Sequence, residues 1–195
     1  WDKPYYELGK YYGKIMESQV SLSGFYEQQT IRYFLKALAL GPSFIFEALP
    51  KLITIWLDFA KKSKSSKESE RILVQIVVDI KTSIKTIPVY VWYTALTQIL
   101  SRIGHLHEAS AEILVQIITN LIQTYPKHSL WYAFSHLNSK AVIRHSRVAE
   151  AIMRAQLSKP MLSEEIANAK LLLSISKKIA DLKITRRSTK KLSIF

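Results

Sequence analysis

Four cations carry the sharpest chemical pattern in the sequence. Lys140, Arg144, Arg147 and Arg154 follow one another at steps of four, three and seven. On a helix these steps place them along one face, with His145 to one side. A phosphate-rich ligand would find four cations in a narrow strip, which makes the set a candidate anion-binding site. The same strip would serve equally well as the solvated outer face of a helical array. Upstream, His105 and His107 flank Leu106 and precede Glu108. Two histidines at i, i+2 do not share a helix face, and no further ligand is spaced to complete a metal site, so a turn or helix-cap role accounts for them better. Glu164 and Glu165 read as the start of a helix, where carboxylates complement the dipole. There is no glycine-rich phosphate loop, GxSxG, HExxH or kinase-type catalytic loop, and no residue set for catalysis.

The rest of the composition says what must hold these side chains. The chain has 195 residues, a net charge of +13, five glycines, six prolines and no cysteine. Few helix breakers with abundant Leu, Ile, Ala and Lys predict an all-α protein. The absence of cysteine excludes disulfides and thiolate metal sites and fits an intracellular setting. No apolar run approaches the roughly 18 residues of a membrane span. The longest uncharged stretch, Thr86–Ser101, contains polar residues and a proline and reads as core helix. The chain begins at Trp1, carries nothing like a signal peptide, and reads as a piece excised from something longer.

Helical periodicity is strongest in Leu96–Trp131. Ile113, Leu114, Ile117, Ile118, Leu121 and Ile122 paint a broad apolar stripe that must be sandwiched between neighbours. Around it the pattern predicts helices over Trp1–Ser18, Phe25–Leu40, a third to about Lys61, Glu70–Ile84, Pro88 to about Gly104, Glu108–Tyr125, Pro126 to Asn138, Lys140–Leu157 and Met161–Leu182. Gly9 and Gly13 bare one face of the first helix for a close neighbour, and Gly41-Pro42 stops the second. Pro50 predicts a kink or restart in the third. The stretch KKSKSSKES, Lys61–Ser69, reads as a mobile loop, and the basic tail Lys183–Phe195 as frayed.

A loose repeat of about 38 residues follows from Pro50, Pro88 and Pro126, each preceding a tryptophan: Trp56, Trp92 and Trp131. That period belongs to helical-hairpin solenoids of the TPR and HEAT kind. The expected fold is an α-solenoid of antiparallel hairpins, with the three tryptophans as structural core wedges between helices. Truncating Trp131 is then expected to cost roughly 3–5 kcal/mol. Aromatics buried in this way, rather than interleaved with basic residues, argue against direct nucleic-acid binding.

Several residues in order also carry a resemblance. Ile55-Trp56-Leu57-Asp58-Phe59 follows Pro50-Lys51; then come Gln98-Ile99-Leu100-Ser101-Arg102-Ile103 with His105, Tyr125-Pro126 and Leu130-Trp131. Together they resemble the C-terminal part of the FAT domain of phosphatidylinositol 3-kinase-related protein kinases, nearest the ATR-type checkpoint kinases of fungi. The resemblance covers residues 1–157 as FAT-domain helical repeats and leaves 158–195 as a helix and basic tail leading towards the kinase domain. It implies a non-catalytic scaffold that clamps the kinase domain, conveys signals from an N-terminal HEAT array and supports activation and dimerisation. It further implies a nuclear Ser/Thr kinase parent using ATP and Mg in the DNA-damage response, an ATRIP-type constant subunit, and inositol hexakisphosphate as a ligand of basic side chains. The residues alone leave open a free-standing basic adaptor that binds nucleic acid or an acidic partner.

Overall fold

The first hairpin forms around a glycine contact. In the computed structural model, which describes residues 1–18, 24–63, 66–137 and 141–180, α1 (Asp2–Ser18) lies against α2 (Phe25–Leu40). A Cβ at Gly9 would stand 2.5 Å from the Phe34 ring, so only glycine lets the helices approach this far. Gly13 is buried at the same interface but has ordinary van der Waals room. Gly24 starts α2 at φ 83°, a left-handed conformation with the Phe59 ring where a side chain would go. Tyr6 stacks on Phe44 at 4.0 Å between centroids and donates its hydroxyl to Glu47. Burial, reinforced by that carboxylate, raises the Tyr6 pKa to about 12.

The chain then continues as α3 (Ile45–Lys62), α4 (Lys67–Thr86), α5 (Val89–Tyr93), α6 (Leu96–Arg102), α7 (Glu108–Thr124), α8 (Pro126–Leu137), α9 (Val142–Ser158), a 3-10 turn at Pro160–Leu162 and α10 (Ser163–Ala180). Every described element is helical. Helices touch both the next element and the next but one: α2 packs on α3 and α4, α5 on α7, α7 on α8 and α9, α8 on α9 and α10. That contact pattern is a two-layer stack of hairpins, an α-solenoid. One core runs through it from Tyr6 on α1 to Ile166 on α10. No described helix is long and apolar enough to cross a membrane.

Three expectations change. The segment after Pro88 is two short helices rather than one, broken at Thr94-Ala95, with Thr94 Oγ1 donating to Val91 O at 2.7 Å. The described residues of Lys61–Ser69 are mostly helical. α3 reaches Lys62, and Ser66 caps α4 by accepting from the Ser69 N–H at 3.1 Å. Residues 64–65 and the tail from 181 lie outside the described residues. Pro50 sits inside α3, so the helix does not restart there; its carbonyl accepts from Thr54 Oγ1 at 2.9 Å and from Gln98 Nε2 of α6 at 3.1 Å. The orphan carbonyl that a proline creates lies one turn back at Phe46, whose side chain is exposed.

The tryptophans divide as well. Trp56 and Trp92 are buried, each with an indole N–H that has no partner. Trp131 is 45% exposed, so it is not a core residue. The proline-to-tryptophan distance is six, four and five residues in the three units. Each one-residue shift rotates a side chain by about 100° around a helix. On α8 the buried face is Ser129, Leu130, Ala133 and Phe134, and Trp131 falls beside it.

Candidate functional site

The α7–α9 seam positions the arginines. α9 turns Val148, Ala151 and Ala155 inward, all fully buried. These small side chains admit α7 so closely that Thr119 Oγ1 reaches the Ala151 carbonyl at 3.3 Å. Beside the seam, Glu108 and Glu112 stand one turn apart on α7 and meet arginines two turns apart on α9. Arg147 Nη2 lies 2.9 Å from Glu108 Oε1. Arg154 binds Glu112 through both terminal nitrogens, at 2.5 and 3.1 Å, and Glu150 at 2.6 Å. Hydrogen bonding to Glu112 is the main reason that the Arg154 pKa rises above its ordinary value.

Arg147 does more than pair. Its Nη1 donates to the carbonyls of Ile103 at 2.9 Å and His105 at 2.6 Å, closing the end of α6. The histidines complete the same turn. His105 Nε2 donates to the Leu57 carbonyl of α3 at 2.9 Å, and its Nδ1 accepts the His107 N–H at 3.1 Å. His107 Nδ1 accepts from the Ser110 N–H at 3.2 Å and so caps α7. These contacts commit both rings to holding the turn between α6 and α7. Among the described residues, no group of three or more metal-ligating side chains is placed to hold an ion.

The cationic strip is therefore not one surface. Arg147 and Arg154 have carboxylate partners, and Lys140 lies outside the described residues. Arg144 makes one contact, from Nη2 to the Ser101 carbonyl at 3.3 Å, while its buried Nε has no partner. It lines an open cleft of about 380 Å³ together with Lys61 of α3 and Arg102 of α6. Spacing could not reveal that grouping, because the three residues come together only when α3, α6 and α9 stack.

A family profile described as "Serine/threonine-protein kinase ATR-like, HEAT repeats" matches residues 75–174. The chain is 44% identical to the serine/threonine-protein kinase MEC1 of Candida albicans over 192 residues, 97% of this chain and 8% of that protein. It is 28% identical over 187 residues to the serine/threonine-protein kinase ATR of Arabidopsis thaliana, 80% of this chain and 7% of that protein. With the protein kinase rad3 of Schizosaccharomyces pombe it shares 28% identity over 191 residues, 89% of this chain and 8% of that protein. The chain thus corresponds to a small segment of each of these kinases.

Proposed function

The chain belongs to the HEAT-repeat family of ATR-like serine/threonine-protein kinases, and from that premise we propose that it acts as a non-catalytic regulatory scaffold within a much longer kinase. The observation that supports this reading is the core that continues through every hairpin and is tied across repeats at the α7–α9 seam. Repeats coupled in this way flex as a unit, so a displacement at one end biases contacts at the other. In its finer form the proposal places the segment in the FAT region, against the kinase domain on one side and the N-terminal HEAT array on the other, supporting activation and dimerisation. ATP and Mg then belong to the parent's kinase domain, and the setting is a nuclear checkpoint kinase with an ATRIP-type subunit. Inositol hexakisphosphate is the small polyanion proposed for its basic side chains.

The test is Arg147→Ala in the full-length kinase. The expected outcome is an altered phosphorylation rate with an unchanged KM for ATP. A folded variant with a lowered melting temperature and an unchanged rate would overturn the scaffold reading. Cross-linking from Lys85 and Lys127 tests the finer placement: links to the kinase domain support the FAT assignment, and links confined to the HEAT array remove it. The charge of +13 favours one alternative, an adaptor for nucleic acid. Filter binding at two salt concentrations decides it, since each phosphate neutralised on duplex DNA adds about 0.9 to the slope.

A further inference from the structure

We propose that the cleft where α3, the α6–α7 turn and α9 meet binds an acidic peptide segment of a partner protein. Three cations from three helices converge there: Lys61, Arg102 and Arg144. Arg102 reaches Asp58 at 3.4 Å, with both side chains substantially exposed. Among the described residues, neither Lys61 nor Arg144 has a carboxylate within ion-pair distance. Lys61 and Arg102 stand in the last turns of α3 and α6, where helix dipoles favour cations. That placement accounts for their positions, and among the described residues it leaves Lys61 exposed to water without a carboxylate partner. Arg144 spends one of five N–H donors on Ser101, and its Nε is buried without an acceptor. An anion entering the cleft would offer Lys61, Arg102 and Arg144 a charged acceptor in place of water.

The lining also identifies the kind of anion. Ala60 and Gly104 give the cleft an apolar floor, and Leu106 stands 76% exposed at its rim. A small inorganic polyanion would leave those groups facing water. A peptide with carboxylates on either side of an apolar residue uses both the cations and Leu106. A second copy of this chain is a poor source of it, because two surfaces of a +13 protein repel. The inference does not depend on the scaffold reading, since it rests on the cleft alone.

The test uses the full-length kinase that contains this segment and a fluorescein-labelled Glu-Glu-Leu-Glu-Glu peptide, followed by fluorescence anisotropy. Saturable binding is expected. Lys61→Ala combined with Arg144→Ala should weaken it about tenfold, as charge-assisted contacts are lost. Gly104→Leu should weaken it comparably without changing charge. Its backbone is not left-handed, and an added Cβ meets nothing closer than Arg144 Cβ at 4.0 Å, so the side chain fills the cleft. Lys81→Ala with Lys85→Ala, exposed on α4, removes the same charge and should leave binding unchanged. Absence of saturation, equal weakening by the α4 pair, or wild-type binding by Gly104→Leu would each overturn the proposal.

Discussion

Arg147 and Arg144 are neighbours on one helix, one turn apart, and have opposite fates. Arg147 is 12% exposed and meets Glu108 and two carbonyls. Arg144 faces a cleft with a single long contact to the fold. The difference lies in what the neighbouring helices offer. α7 supplies carboxylates at Glu108 and Glu112, at a spacing that serves Arg147 and Arg154, whereas the end of α6 supplies Arg144 with only a carbonyl. A charge on a helix face becomes structure or surface according to a partner about forty residues away.

The contrast between committed and uncommitted side chains is largest for the tryptophans. Trp56→Ala should cost about 3–5 kcal/mol, through lost burial and the cavity left behind. Trp131→Ala should cost about 1 kcal/mol or less, because nearly half of its surface is already in water. Denaturant unfolding of the two variants compares them, and equal losses would place Trp131 in the core after all. The arginines follow in order. Arg147→Ala strands two carbonyls and should cost about 2–3 kcal/mol. Arg154→Ala removes a surface network worth about 1 kcal/mol, and Arg144→Ala should stay within about 0.5 kcal/mol. Thermal melts of all three would break the comparison if Arg144→Ala proved the most damaging.

An effect confined to alkaline pH lies at the other end of the chain, where the donor to a carboxylate is a neutral hydroxyl. Tyr6 donates to Glu47, and its pKa is raised from 10.0 to about 12. The protonated hydroxyl is the form favoured by folding, so its contribution is complete below pH 10 and lost as pH rises through 12. Alkaline titration should show a late-ionising tyrosine and loosening of the contact between α1 and α3 in that window. Tyr6→Phe should abolish the late step, whereas its persistence in that variant would assign it to another tyrosine.

What the sequence disclosed depended on how local the cause was. α2 runs from Phe25 to Leu40 as its periodicity and the Gly41-Pro42 stop require. The stripe from Ile113 to Ile122 likewise specified α7. The break at Thr94-Ala95 has no glycine or proline to announce it. Composition hid Ser66 as a cap among lysines and serines that otherwise read as loop. The repeat placed its tryptophans by proximity to proline and so missed their phase around the helix. The family resemblance reached the right kinases because it used ordered residues spread over several helices. The cleft was out of reach, because its cations have no common spacing.

Arg147 also has a consequence for the order of folding. α6 is seven residues long, too short to hold itself together in water. Its last carbonyls find donors in Arg147 and Arg144, which follow more than forty residues later. A chain emerging from the ribosome can already seat α6 on α3, but the carbonyls at its end stay open until α9 arrives. Closing that turn is a late event, completed by residues that belong to a different hairpin.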